Sequence, residues 1–434
     1  MRQYKKFHIT QKNEFQAKLE VWLNSYDRFA YLNSNQYADK CSTYDFICGL
    51  GFRSAFICPA ENALNAFRLF YKAHCSDWLL GFFSYDLKNE LENLSSAHDD
   101  LIKMPLIHFF QPEIIITLKG NELEIGVCEK NNFKADIDSI YEKIINTEIK
   151  SDSYTLPLIK LKAKEDKESY VTRIHQIKKH IQRGDIYEMN YCTEFYGQYS
   201  KDIRLMHLYK KLNSLSPAPF SCLYTLGQKA LVSSSPERFL KKQGTKMFSQ
   251  PIKGTIKRGR TPHEDEKFRE TLKKSEKDRS ENVMIVDLVR NDLSHFAKKG
   301  TVKVDELFGI YGFSQVYQII STISCELKEG ADAIDALMGC FPPGSMTGAP
   351  KIRAMQLIEE TELTKRGLYS GVVGYFSPDG DFDFNVVIRS ILINAETQYV
   401  SLMAGGAITA QSDPVCEYEE CLVKAQAMIK VLTT

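Results

Sequence analysis

The strand-like segments of this chain follow one another without a regular alternation of helices, and this order limits its fold most strongly. Residues 374–384, GYFSPDGDFDF, have the composition and the Asp-Gly turn of a β-hairpin. Four more strand-like runs lie between residues 186 and 251. The helices are interposed irregularly and not in the strict βαβ alternation of a parallel sheet. We therefore predict an α+β fold with mainly antiparallel sheets.

Three of the predicted helices stand out. In residues 168–185, apolar side chains recur at three- and four-residue spacing, and Gly184 marks the end of the helix. Residues 276–293 and 416–432 are the other two predicted helices.

The composition excludes several classes of protein. Lys and Arg number 56 against 55 Asp and Glu, whereas a nucleic-acid-binding protein usually has a basic excess. No apolar run is long enough to span a bilayer, and no signal peptide is visible at the start. The eleven cysteines, with no CxxC pair, favour free thiols in a reducing compartment. We expect a cytoplasmic protein that binds neither nucleic acid nor membrane.

The composition also changes near residue 155. Residues 151–170 are more polar and charged than their surroundings and are a candidate linker. We predict an N-terminal region, 1–155, packed on a catalytic region, 156–434.

Three of the carboxylates in the predicted helices are candidate functional residues. Glu281 shares a helix face with apolar residues, which is unusual unless the charge has a partner. Glu417 and Glu420 are three residues apart and share a face with Lys424. They form either a solvated acidic face or a site for a hard cation such as Mg²⁺, and spacing alone does not distinguish the two.

Two small-residue loops are candidate anion sites. Residues 341–355, FPPGSMTGAPKIRAM, place Thr347 in a proline-glycine turn that runs into a predicted helix, and a helix N-terminus attracts anions. A tight turn with a helix cap is the alternative. The second loop, MAGGAIT, contains Gly405 and Gly406 and is equally non-specific. Walker, HExxH, GxSxG and GxCxG motifs are all missing, so NTPase, zinc, serine-hydrolase and glutaminase chemistry lack support.

Lys253 lies in the segment SQPIKGTIKRG, residues 249–259. It can be a surface charge, an anion-binding group or a nucleophile. An amine becomes nucleophilic only when burial or nearby positive charge lowers its pKa. Lys257, Arg258 and Arg260 are the cations near enough in sequence to supply such charge.

Taken together, these segments resemble the chorismate-utilising enzymes. The resemblance is strong over about residues 160–434 and weaker before that. The similar blocks occur in the family's order: RGDIYEMN, SPERF, PIKGT, KDRSENVMIVDLVRND, PPGSMTGAPK, YSGVVGYFS, VVIRS, AGGAIT and the terminal ExxEC. The resemblance implies two packed, mainly antiparallel sheets with helices outside, as in anthranilate synthase component I.

The lysine of PIKGT implies one branch of this family, aminodeoxychorismate synthase component I, because anthranilate synthases carry alanine there. In that branch, Lys253 is the expected covalent nucleophile and Glu237 the expected acid. The resemblance further implies a Mg²⁺ site and contacts to chorismate. The expected metal ligands are Glu281, Glu417 and Glu420, and the expected substrate contacts are Gly254, Thr255, Thr347, Tyr369, Arg389, Gly405 and Gly406.

The chain departs from the family pattern at two positions that bear on the reaction. Glu188 stands where related synthases often carry glutamine and isochorismate-forming relatives carry lysine. Gln318 replaces a histidine associated with the elimination step of anthranilate synthases. We expect 4-amino-4-deoxychorismate as the product, with ammonia from a glutamine amidotransferase partner. Anthranilate synthase component I, an isochorismate or salicylate synthase, and an inactive regulatory homologue are the alternatives.

Overall fold

The protein is described by a computed structural model. It covers residues 2–37, 41–58, 62–128, 136–149, 154–313 and 316–434.

The strands are, in chain order, β1 (Arg2–His8), β2 (Arg28–Asn33), β3 (Phe46–Cys58), β4 (Leu79–Phe83), β5 (Ile107–Lys119), β6 (Glu122–Cys128), β7 (Lys162–Ala163), β8 (Glu188–Gln198), β9 (Phe220–Leu226), β10 (Lys229–Ser235), β11 (Arg238–Gln243), β12 (Lys246–Gln250), β13 (Ile252–Lys257), β14 (Lys303–Gly312), β15 (Val316–Glu326), β16 (Gly348–Ala349), β17 (Val372–Phe376), β18 (Phe382–Val386), β19 (Ser390–Asn394) and β20 (Tyr399–Ile408).

The α-helices are α1 (Lys12–Trp22), α2 (Ala63–His74), α3 (Lys88–Leu91), α4 (Ile137–Ile145), α5 (Lys167–Gln182), α6 (Leu205–Leu215), α7 (Pro262–Lys274), α8 (Glu276–Ser294), α9 (Ala333–Cys340), α10 (Lys351–Thr361) and α11 (Pro414–Thr433). Short 3-10 helices occupy Leu23–Ser25, Tyr85–Leu87 and Gly344–Met346.

The strands form two runs, and the pairings between named strands are antiparallel. The first run is β1-β6-β5-β3-β2-β9-β10-β19-β20-β8, with β7 and β16 also on β8. The second is β4-β17-β18-β11-β12-β15, with β13 and β14 also on β15. Strand β5 joins them, since residues 107–110 pair with β4 and residues 114–119 pair with β6. The α+β fold is confirmed, and the two expected sheets are linked into one network.

Side chains alternate between two packed layers along β4. Phe82 faces the first run and contacts Tyr224 of β9, with ring centroids 5.3 Å apart. Its neighbour Phe83 faces the opposite way and contacts Phe67 of α2 at 5.2 Å. A second cluster packs α5, α6 and α11 on the outer face of the first run. The helices therefore cover the outside of the strand layers, because each strand face buries apolar side chains.

The locally encoded elements form as predicted. Helix α5 ends just before Gly184, whose φ of +81° suits glycine. The hairpin is β17–β18, in which Gly380 has φ +77° and its N–H donates to the Ser377 carbonyl at 2.9 Å.

Strands from both sides of residue 155 pair with each other. Strand β2 pairs with β9, and β4 pairs with β17. The division into 1–155 and 156–434 stays a prediction, and residues 151–153 of the candidate linker lie outside the described part of the chain. Within the described residues, no helix is both long and apolar enough to cross a membrane.

Candidate active site

A bulge in β13 places Lys253 in the interior. The register with β15 shifts between Ile252 and Thr255, so that the intervening residues leave the regular ladder. Gly254 has φ +84°, and a Cβ there would lie 2.9 Å from the Cβ of Asp278. Glycine is therefore required for both conformation and space. The Lys253 side chain is only 9% exposed.

The partner of Lys253 is Glu188, the first residue of β8. Lys253 Nζ donates to Glu188 Oε1 at 3.0 Å. Burial acts to lower the pKa of Lys253, but the charges of Glu188, Glu281 and Glu237, with the hydrogen bond to Glu188, raise it above its usual value. Without ligand, Lys253 is therefore a buried ammonium and not a free amine.

The cations near Lys253 in the sequence do not lower its pKa, which is raised above its usual value. The guanidinium of Arg258 donates to both carboxylate oxygens of Asp265, at 2.8 and 2.7 Å. Its charge is thus paired with a helix residue that follows it, and Lys253 faces carboxylates instead.

Glu237 has the properties of a proton donor. It lies between β10 and β11, is 5% exposed, and its backbone carbonyl accepts from Val386 N at 3.0 Å. Burial raises the pKa of Glu237 from 4.5 to about 7, although a hydrogen bond to Ser345 and the charge of Lys253 oppose the shift. At neutral pH much of Glu237 is therefore protonated, as general-acid catalysis requires.

The three expected metal ligands lie on two helices. Glu281 of α8 and Glu417 of α11 are both buried, and Lys277 lies between them. Its Nζ is 3.1 Å from Glu417 Oε1 and 3.9 Å from Glu281 Oε1. Glu420 is half-exposed and pairs with Lys424 at 2.7 Å. Glu420 thus lies on a solvated face of the helix, whereas Glu417 does not.

These residues fit a hard divalent cation. Two buried carboxylates already share one cation, and Glu281 Oε1 is buried without a hydrogen-bond partner in the structure. Burial raises the pKa of Glu281 to about 7, which shows that the charge lacks full compensation. Mg²⁺ commonly uses one or two carboxylates and completes its shell with water and substrate oxygens. No three acidic, His or Cys side chains among the described residues are grouped tightly enough to hold a metal alone.

Two expected substrate contacts, Tyr369 and Arg389, lie beside this cluster. Tyr369 is buried, and its hydroxyl is 3.4 Å from Cys192 Sγ of β8. Arg389 is partly buried with φ +52°. Burial lowers the pKa of Arg389, while Tyr369 and Glu420 oppose the change. A positively charged group near Tyr369 suits a carboxylate ligand.

Gly405 and Gly406 let β20 pass close to its neighbours. A Cβ at Gly405 would lie 1.9 Å from the Tyr191 carbonyl of β8. At Gly406 it would lie 3.2 Å from Glu417 Oε2 and 4.0 Å from Glu420 Oε1. Gly406 therefore lies next to the acidic cluster, and the contact of both glycines with substrate stays a prediction.

The two threonines differ in their surroundings. Thr255 Oγ1 accepts from Gln318 Nε2 at 3.4 Å, next to Lys253 in the chain. Thr347 is fully buried, and its hydroxyl contacts the backbone carbonyls of Pro343 and Gly344 at 3.3 and 3.2 Å. Helix α10 begins at Lys351, so Thr347 lies in a turn that runs into a helix, as the sequence predicted.

A buried ion pair braces the site, and sequence reasoning missed it. Arg366 binds Glu362 at 2.6 Å and donates to the carbonyls of Asn190 and Met346 at 3.0 and 2.6 Å. It thereby ties β8 to the segment around Thr347. The only sequence signal is a Glu and an Arg four residues apart, which is common on exposed helices.

The family profile described as "chorismate binding enzyme" matches residues 16–430. The chain belongs to this family. It is thus a chorismate-utilising enzyme, and the resemblance of its sequence blocks is confirmed.

Individual relatives carry two different activities in their names. Aminodeoxychorismate synthase of Streptomyces griseus is 42% identical over 270 residues, which are 62% of this chain and 37% of that relative. Anthranilate synthase component 1 of Bacillus subtilis (strain 168) is 34% identical over 378 residues, covering 81% of this chain and 72% of the relative. The names therefore do not decide between these reactions.

A solved structure has the same fold. The crystal structure of anthranilate synthase component I from Streptococcus pneumoniae TIGR4 aligns with a TM-score of 0.75 and 22% identity over 91% of this chain and 94% of that one.

Proposed function

We propose that this enzyme is an aminodeoxychorismate synthase component I, which converts chorismate and ammonia to 4-amino-4-deoxychorismate. The observation that carries the proposal is Lys253: a buried lysine beside a carboxyl, Glu237, whose pKa is raised to about 7. In this proposal the two side chains act as nucleophile and proton donor in one interior site. An alanine at position 253 offers neither a nucleophile nor a charge.

The reaction replaces the C4 hydroxyl by nitrogen with retained configuration. In the proposed sequence, the Lys253 amine adds at C2, the ring double bonds shift, and the C4 hydroxyl leaves. Protonated Glu237 supplies a proton to the leaving oxygen, since hydroxide is a poor leaving group. Ammonia then adds at C4 and expels Lys253. Two displacements preserve the face of the ring.

The other groups have supporting roles in this proposal. Glu281 and Glu417, with Glu420, would hold Mg²⁺, which when bound supplies a positive charge for the ring carboxylate of chorismate. Tyr369 and Arg389 would bind the enolpyruvyl carboxylate, with the backbone at Gly405 and Gly406 beside it. Gly254, Thr255 and Thr347 would complete the pocket.

We further propose that a separate glutamine amidotransferase supplies the ammonia, in the cytoplasm, for 4-aminobenzoate and folate synthesis. The chain contains no GxCxG glutaminase motif. Anthranilate synthase activity remains the second candidate, because a relative with that name is 34% identical over 81% of the chain. Product identity separates them: anthranilate fluoresces, whereas aminodeoxychorismate does not.

The first test is intact-protein mass after incubation with chorismate and Mg²⁺ but without ammonia. Wild type should gain a chorismate-derived adduct, and Lys253→Ala should gain none. Lys257→Ala is the matched control, since Lys257 is an exposed lysine of the same strand, and it should behave as wild type.

A fluorescent aromatic product from wild type, with no adduct, would overturn the proposal in favour of anthranilate or salicylate chemistry. Absence of any chorismate turnover when ammonium is supplied would favour an inactive homologue.

A further inference from the structure

Glu188 forms a buried ion pair with Lys253. It is 2% exposed, and its Oε1 accepts the Lys253 ammonium at 3.0 Å. Its other oxygen, Oε2, is also buried and has no hydrogen-bond partner in the structure. Since β8 and β13 belong to different strand runs, this side-chain pair joins them directly.

Other carboxylates face the Lys253 nitrogen from further away. Glu281 on α8 and Glu237 before β11 add negative charge when they are ionised, and Lys277 next to Glu281 partly offsets it. Within the described residues, Glu188 alone among these carboxylates forms a hydrogen bond with Lys253. A buried carboxylate at this distance strongly favours a positive charge on its partner.

We propose that Glu188 is a positioning residue that keeps the Lys253 nitrogen positively charged throughout the covalent intermediate, so that Lys253 can depart as a neutral amine. This inference rests on the proposed function.

The Lys253 nitrogen carries one positive charge both before and after the first step. The C2–N bond forms, the C4–O bond breaks, and one proton of the Lys253 ammonium passes by way of Glu237 to the departing oxygen as water. The adduct nitrogen is then a secondary ammonium beside Glu188.

In the second step the same charge makes Lys253 a good leaving group. Ammonia forms the C4–N bond, the ring double bonds shift back, and the electron pair of the C2–N bond returns to Lys253 as a neutral amine. A proton from the new C4 ammonium then restores the Lys253 ammonium. An uncharged adduct would have to expel an amide anion, which is far more basic and a much poorer leaving group.

A role for Glu188 as the base that deprotonates Lys253 makes the opposite prediction. A base at this position speeds the first step, and its removal slows adduct formation. Charge retention speeds the second step, and its removal slows adduct discharge. The two half-reactions therefore separate these roles.

The experiment loads each enzyme with chorismate and Mg²⁺ without ammonia, then adds ammonium chloride and follows the adduct by quenched intact-protein mass from pH 7 to 9. Glu188→Gln should form the adduct at least as fast as wild type and should discharge it about a hundredfold more slowly. That factor lies at the lower end of the rate effect that a positioned acid or base usually has. The slowing should increase with pH, because only solvent then protonates the adduct nitrogen.

Two variants show whether the effect is specific. Glu188→Asp retains the charge and should recover much of the discharge rate. Glu194→Gln is the matched control: Glu194 is a buried glutamate on β8 that accepts from Ser401 Oγ at 2.7 Å and Tyr399 OH at 3.0 Å. It should match wild type in both half-reactions.

Discharge from Glu188→Gln at the wild-type rate, or slower adduct formation with normal discharge, would overturn this inference alone. Absence of an adduct from wild type would overturn the proposed covalent function and this inference with it.

Discussion

At the scale of single residues, burial keeps Glu237 partly protonated at neutral pH, where an exposed glutamate is ionised. Its pKa lies near 7 and not near 4.5, so the protonated form is present below pH 7 and lost as the pH rises through that value. We predict that the rate of adduct formation falls above about pH 7. Single-turnover rates of adduct formation, measured over a range of pH, test this fall.

Glu237→Gln provides the control for that profile. The variant cannot donate a carboxyl proton, so the rate of adduct formation should fall by roughly 10²–10⁴-fold. The decrease of that rate above about pH 7 should disappear. Persistence of the same pH dependence in this variant would assign it to a group other than Glu237.

Sequence reasoning named the candidate nucleophile and the candidate acid but not their neighbours. Lys253 and Glu237 were identified from short blocks that resemble the family, and both lie in the site. Glu188, 65 residues before Lys253, was noticed only as a departure from a pattern. Chain spacing gives no information about such a contact, because it depends on how two strand runs approach each other.

At the scale of elements, the bulge of β13 determines where Lys253 lies. We predict that Gly254→Ala destabilises the protein by about 1–3 kcal/mol, because alanine is strained at φ +84° and its Cβ meets Asp278. Urea unfolding measures the loss, and the yield of the Lys253 adduct should fall with it.

Gly244→Ala separates the effect of backbone strain from that of steric contact with a neighbouring side chain. Gly244 lies in the β11–β12 turn with φ +60°, and a Cβ there would have no atom within 4 Å. It should lose less stability than Gly254→Ala and should form the adduct normally. Equal effects of the two substitutions would show that contact with Asp278 is unimportant.

The elements that sequence predicted best are those with local signals. Apolar spacing with Gly184 gave α5, and the Asp-Gly turn gave the β17–β18 hairpin. The segment at Thr347 was less predictable, since its two-residue strand β16 exists only because Gly348 and Ala349 pair with β8.

At the scale of the whole molecule, the two predicted regions share strand ladders. Strand β17 pairs with β4 on one side and β18 on the other, so loss of residues 1–155 would expose an inner strand. We predict that residues 156–434 alone give no cooperative thermal transition. Near-ultraviolet circular dichroism during heating tests this, with the full chain as the control.

A cooperative transition for the isolated 156–434 segment would contradict this expectation and would support an independently stable catalytic domain. Sequence predicted the α+β class because the helices are interposed irregularly among the strands and not in strict βαβ alternation. It did not predict the junction at β5, because each half of that strand resembles an ordinary strand on its own.

The contact between Lys253 and Glu188 has a mechanical consequence. The two strand runs are joined along the chain by β5, and the ion pair joins them again at β8 and β13. Any sliding of one layer over the other therefore changes the separation of a nitrogen and an oxygen that are 3.0 Å apart. The stiffness of the two strand runs, and not only the chemistry of their side chains, thus sets how steadily the Lys253 side chain is positioned.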